Sequence, residues 1–178
     1  MKRVRENSSK LYMAKALIEL MKTKALDDIS ITMLTHKAGV SRMSYYRYFS
    51  HKIEVLENYL DSLIETYYKE VDEKFRFEFQ SREHIVQSLR YFKKHADLML
   101  CLTRANLSSL MMERLNAYVF QRSGREESKE MKYQLFYYVG AIYNVYIEWL
   151  KGGLKESEND IADIIYRFRP DMGEGALL

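Results

Sequence analysis

The side chains with the most recognisable chemical purpose fall in one short run, Ser30-Ile31-Thr32-Met33-Leu34-Thr35-His36-Lys37-Ala38-Gly39-Val40-Ser41-Arg42-Met43-Ser44-Tyr45-Tyr46-Arg47-Tyr48-Phe49. Arg42, Met43 and Ser44 supply a cation, a thioether and a hydroxyl just after Ser41, which can cap a helix. A helix that begins there presents such residues to the base edges of a DNA major groove, while its amides favour nearby phosphate. Bond-making chemistry has no comparable signature. The four histidines, His36, His51, His84 and His95, lack metal-ligand spacing, and the chain has no HExxH, no Gly-rich phosphate loop and no GxSxG. Solvated helix surfaces are expected for all four, and the pair Glu126-Glu127 reads as exposed loop. Neither catalysis, a cofactor nor a metal is expected.

Those residues need two short helices to hold them. Ser30 can cap a helix that ends near Lys37, and Gly39 suits a chain leaving a helix through the left-handed region. Val40 can pin the turn, and Ser41 caps a second helix to about Phe49. This is a helix-turn-helix pattern, although a plain corner between two bundle helices shares part of it. A supporting helix is expected at about Ser8 to Lys24, capped by Ser8 or Ser9, with Leu11, Ala14, Ile18 and Met21 on one face. From Lys52 a long helix follows, striped by Ile53, Leu56, Leu60, Leu63, Ile64, Tyr67, Val71 and Phe75. Further helices are expected at about Arg82 to His95, Ala96 to Thr103, Leu107 to Gln121, Ser128 to Lys151 and Glu158 to Arg169. The polar loop Arg122 to Glu127, Gly152-Gly153 and Pro170 separate or end them. No segment alternates as a half-buried strand does, so the fold class is all-α.

Composition bounds the rest. A chain of 178 residues can bury a real core, and a single Cys excludes an internal disulfide framework. Cys101, set among Met99, Leu100 and Leu102, is expected to be a buried, inert thiol. The net charge of +3 conceals an asymmetry. Residues 1–52 hold 11 Lys+Arg against 4 Asp+Glu, a net of +7, whereas residues 53–178 hold 17 against 21, a net of −4. A basic head on an acidic body is the footprint of a protein whose head alone meets a polyanion. Lys2, Arg3 and Arg5 add a basic tail. The N-terminus lacks the apolar run of a secretion signal, and the most apolar stretch, Leu135 to Ile147, is too short to span a bilayer. A soluble, cytoplasmic protein without a membrane partner is expected.

The first helix, the Ser30 cap, Ala38-Gly39-Val40-Ser41, the segment Tyr46 to Phe49 and Lys52 after Ser50-His51 together resemble the N-terminal domain of the TetR/AcrR family of bacterial transcriptional regulators. The resemblance covers about Ser8 to Leu60. It implies that residues 1–52 form a helix-turn-helix DNA-binding domain and residues 53–178 a helical effector-binding and dimerisation domain. By the same resemblance the helix opened by Ser41 is the recognition helix, with Arg42, Met43 and Ser44 facing bases. Tyr46, Arg47, Tyr48 and Lys52 match phosphate-clamping positions, and Ser30 and Thr32 match a further phosphate contact. Met43 stands where many members carry a small residue, and it offers an apolar contact to a thymine methyl. Leu34-Thr35 replaces the commoner Ile-Ala. Tyr45 and Phe49 face the first helix and are expected in the core.

One recognition helix is too small for selectivity, so a homodimer that reads two half-sites of a palindromic operator in double-stranded DNA is expected. The helix from Ser128 to Lys151 is apolar around much of its circumference, as a helix with more than one neighbour must be. The resemblance to the TetR/AcrR family implies that it builds the dimer interface with the last helix, through Phe136, Val139, Gly140, Tyr143 and Ile147 on one and Ile161, Ile164, Ile165 and Phe168 on the other, although any of these residues can equally belong to the bundle's own core. The same resemblance implies a small-molecule pocket between the head and the dimer helices, and Phe92, Met99, Cys101, Leu102, Met111, Tyr138 and Tyr143 are candidates to line it for an apolar or aromatic effector, although such residues also simply fill cores. The expected function is a repressor released from DNA by its effector. Alternatives are an activator or co-activator of the same fold, and a helical protein-interaction module that has lost DNA binding.

Overall fold

The computed structural model describes residues 2–75, 81–122 and 129–169. Every regular element among them is helical. The first helix, α1 (Lys2–Met21), begins well before the expected Ser8 and contains Ser8 and Ser9 instead of being capped by them. It also ends earlier than Lys24, because the amides of Thr23 and Lys24 both turn back onto the Leu20 carbonyl. Met13, Ala14, Leu17, Ile18 and Met21 form its buried face, while Leu11 stays 38% exposed.

Local capping sets the next two helices. Ser30 Oγ accepts from the Met33 amide at 3.1 Å and opens α2 (Ile31–Ala38). Gly39 sits at φ 65°, where its amide reaches the His36 carbonyl and the Val40 amide reaches that of Thr35. A side chain at that φ is strained, so glycine is what permits the turn. Ser41 Oγ accepts from the Ser44 amide at 3.0 Å and opens α3 (Arg42–Tyr48). Leu34, Tyr45 and Phe49 are buried among these helices and α1.

The long helix α4 (Lys52–Glu70) is followed by a single 3-10 turn, Asp72–Phe75. Its stripe departs from expectation at one end, where Val55 is buried and Ile53 remains 38% exposed. Then come α5 (Arg82–Lys93), α6 (Ala96–Arg104), α7 (Ser108–Arg122), α8 (Lys129–Lys151) and α9 (Glu158–Phe168). The expected polar loop after Arg122 and the stop at Pro170 lie outside the described residues. Between α8 and α9 the chain turns through Gly153 and Leu154, both at positive φ, and the Trp149 indole donates to the Glu156 carbonyl at 3.1 Å. A capping box between Ser157 and Asp160 starts α9.

α5 packs on α9, α7 on α8 and α4, and α6 on α8. One contiguous core runs from α1 into this bundle. Two contacts tie α6 to the end of the first helix: Lys22, just past it, pairs with Asp97 at 2.6 Å, and the Cys101 thiol donates to the Ile18 carbonyl. Among the described residues, no helix is long and apolar enough to cross a membrane.

Candidate nucleic-acid interface

On α3 the side chains divide cleanly between inside and outside. Tyr45 is fully buried and packs edge-on against Tyr46, and burial pushes its hydroxyl pKa up. Arg42, Met43, Tyr46 and Arg47 are exposed and together border an open surface cleft. Met43 is 75% exposed, a large apolar side chain held in water by an otherwise polar helix. Tyr48 is half-buried, with the Lys10 ammonium 5.3 Å from its ring centre. Ser41 is exposed and its hydroxyl caps the helix, 3.0 Å from the half-buried Ser44 hydroxyl. Ser30 and Thr32 are exposed at the start of α2, with Ser30 engaged in its cap.

Lys52 departs from expectation. Its ammonium donates to the carbonyls of Leu26 and Ile29, at 2.5 and 2.7 Å, and to that of Asp27 at 3.3 Å. An ammonium has three donors, and here three carbonyls of the loop entering α2 take them. Lys52 therefore braces the head from the first turn of α4 and has no donor left for a phosphate.

A cavity of about 90 Å³ lies between α4, α5, α6, α7 and α8. Of the residues expected to line a pocket, Phe92, Met99, Met111, Tyr138 and Tyr143 border it. Cys101 and Leu102 do not. The helical rotation from Met99 turns Cys101 toward α1, where burial raises its thiol pKa, and Leu102 is fully enclosed in the core. Periodicity missed the polar end of the cavity, formed by Tyr67, His84, Ser88 and Tyr118. His84 is buried, contrary to the expectation of a solvated surface, and its Nε2 lies 2.9 Å from Oδ1 of the fully buried Asp72. Tyr118 donates its hydroxyl to the other Asp72 oxygen, and the Tyr67 hydroxyl lies 2.8 Å from Ser88 Oγ and 3.2 Å from His84 Nε2. The sequence signal was present in outline, since His84 directly precedes the apolar pair Ile85-Val86 on a helix. Among the described residues, no group of His, Cys, Asp and Glu is arranged to hold a metal ion.

The residues expected at a dimer interface separate into two sets. Val139, Tyr143, Ile147, Ile161 and Ile165 are buried within this chain, because α8 and α9 turn those faces toward α5, α6 and α7. Phe136 and Gly140 are half-buried, whereas Ile164 and Phe168 are 45% and 73% exposed. A Cβ built on Gly140 would meet nothing within 4 Å, so no neighbour in this chain requires the glycine. Tyr133 and Tyr137, one helical turn apart on α8, add exposed aromatic surface that the expected set omitted.

Comparison with known proteins fits this geometry. No curated protein matches the chain. Its fold is similar to that of the dihydroxyacetone kinase operon activator DhaS, with a TM-score of 0.58 and 18% identity over 89% of this chain and 92% of that one. It is also similar to a TetR transcriptional regulator from Rhodococcus sp. RHA1, with a TM-score of 0.56 and 19% identity over 92% and 94% of the two chains. Residues 79–171, just over half of the chain, match the TetR_C_8 family, described as a transcriptional regulator C-terminal region. With a capped helix-turn-helix at one end and that region at the other, the chain belongs to the TetR family of transcriptional regulators.

Proposed function

We propose that the protein is a cytoplasmic homodimer that represses transcription by occupying a palindromic operator and leaves it when a small molecule enters the cavity. The observation that carries the DNA-binding part is the exposed set Arg42, Met43, Tyr46 and Arg47 on a helix opened by Ser41, within a segment of net charge +7. Arg42 and Met43 are the base readers, joined by Ser44; Tyr46, Arg47, Tyr48, Ser30 and Thr32 position the head on phosphates. Two such helices enter successive major grooves roughly 34 Å apart. The DNA-binding unit is residues 1–52 and the effector and dimer unit is residues 53–178.

Two elements touch both ends of the proposed switch. Met99 of α6 borders the cavity, while Asp97 and Cys101 of the same helix hold α1. Tyr67 near the end of α4 borders the cavity, while Lys52 at its start grips the loop into α2. A ligand that binds one arrangement of α4 and α6 better than another shifts the head by that difference in affinity.

The test is binding to an inverted repeat from the DNA upstream of the gene, measured across salt concentrations. Affinity falls steeply with salt, and Arg42→Ala removes about 1–3 kcal/mol of discrimination between the operator and random DNA. Equal losses on both DNAs would take Arg42 out of base reading. An activator is the second reading, favoured by the similarity to an operon activator. Reporter output after deletion of the gene separates the two, rising for a repressor and falling for an activator.

A further inference from the structure

The cavity's own chemistry narrows what it takes. Among the described residues that line it, none is Lys, Arg, Asp or Glu. A charged ligand would be stripped of water there, and His84, the lining imidazole, is already engaged by Asp72 behind the wall, so the desolvation penalty is not recovered by a dedicated partner. The Asp72 carboxylate stands directly behind Tyr118 and His84 and does not itself border the cavity. Asp72 is fully buried and Tyr118 and His84 stand between it and the space, so an ammonium in the cavity would not reach the carboxylate directly.

The lining hydroxyls differ from one another. Tyr67 is engaged with Ser88 and His84, Tyr118 with Asp72, and Tyr146 donates to the Phe92 carbonyl at 2.7 Å. Tyr143 is 8% exposed and its buried hydroxyl has no hydrogen-bond partner. Burial raises its pKa; the nearby Ser108 hydroxyl acts in the opposite direction but does not reach hydrogen-bond geometry. A buried hydroxyl left in this state costs free energy that a ligand oxygen recovers.

Size sets the other limit. About 90 Å³ is less than the roughly 150 Å³ that takes up benzene in an engineered cavity. Met99 and Met111 border the space, and unbranched thioethers turn aside readily, so one ring enters and two fused rings do not. Phe92 and the lining tyrosines offer faces and edges to a flat ring.

We infer that the cavity binds an uncharged, single-ring aromatic molecule bearing one hydroxyl or carbonyl oxygen, which hydrogen-bonds to the Tyr143 hydroxyl. This ligand class rests on the reading of the cavity as the effector site. Calorimetric titration of the full chain with phenol, toluene, benzoate, benzylamine and 1-naphthol tests it. Phenol binds roughly tenfold more tightly than toluene, and Tyr143→Phe brings phenol down to toluene's level while leaving toluene unchanged. The inference is overturned if phenol does not bind, if phenol binds both proteins equally, or if benzoate, benzylamine or 1-naphthol binds better than phenol. Operator release, followed on the same samples, separates this inference from the reading beneath it. Phenol bound without release removes the effector role and leaves the ligand class standing. Release by a charged or larger compound, with phenol unbound, removes the ligand class and leaves the effector role.

Discussion

At Lys52 one ammonium holds three carbonyls of the loop that leads into α2, which changes what its removal should do. A phosphate contact, once lost, flattens the salt dependence of DNA binding by about one unit of slope. A brace, once lost, leaves that slope alone and lowers the stability of the head. We therefore expect Lys52→Met to lower stability by about 1.5–3 kcal/mol, the range for hydrogen bonds to a charged group, with an unchanged salt slope and weaker binding to all DNA. Thermal unfolding and salt titration of the same variant check both halves, and a flattened slope at full stability would return Lys52 to the phosphates. The contrast with Ser30, Gly39 and Ser41 explains what the sequence discloses. Those three act on amides and carbonyls within a few residues, so their types and spacing suffice to predict the turn. Lys52 acts on residues more than twenty positions away, and no local pattern encodes that. The Asp72–His84 pair escaped for the same reason, because the ring's burial is decided by α4 and α7 packing over it and not by its neighbours on α5.

Among the elements, α9 is held by polar contacts at its surface as well as by its buried Ile161, Ala162 and Ile165. Arg82 pairs with Asp163 at 2.5 Å and Lys93 with Glu158 at 2.6 Å, both from α5, while Ser157 and Asp160 close the capping box. The Asp163 carboxyl is held below its usual pKa by the Arg82 hydrogen bond, Glu158 by Lys93, and Asp160 by the Ser157 hydroxyl. A carboxyl depressed in the folded state contributes stability above its unfolded pKa, and that contribution fades as pH falls through the folded value. The loosening of α9 is thus expected below about pH 4. The chain's one tryptophan, Trp149, reports it directly, since its indole donates to Glu156 just ahead of α9 and the Lys93 ammonium lies over its ring. Its emission should shift to the red on acidification before far-UV circular dichroism records loss of helix. High salt should weaken the pH dependence, most of all the part from the exposed Arg82–Asp163 pair. Coincident transitions by both probes would mean that α9 does not loosen separately. The helix itself was legible from its 3.6-residue period, but its partner was not. An apolar stripe of Ile161, Ile164, Ile165 and Phe168 does not say which members face the chain's own core.

For the molecule as a whole, that ambiguity resolves into an argument about assembly. Ile161 and Ile165 are enclosed by this chain, and Ile164 and Phe168 point outward with Tyr133 and Tyr137 of α8. Exposed apolar and aromatic side chains of this kind on both helices, with open space at Gly140, are what a two-fold partner would cover. The charge division works in the same direction: the basic head is left to meet DNA, and the net −4 of residues 53–178 keeps the remainder off it. Phe168→Glu places a charge on the outer face without touching the core, so the variant should fold normally and sediment as a monomer. One head alone has half the base contacts and half the phosphate contacts, and its affinity should fall from the specific range of about 10⁻⁸ M or tighter toward the non-specific range of roughly 10⁻⁴–10⁻⁶ M. Ile161→Glu, buried a few positions away, should instead unfold the bundle, because it strands a charge in the core. Sedimentation, circular dichroism and operator binding of the two variants distinguish a lost interface from a lost fold. A Phe168→Glu protein that stays dimeric and binds its operator as before would place the two-fold contact on another face.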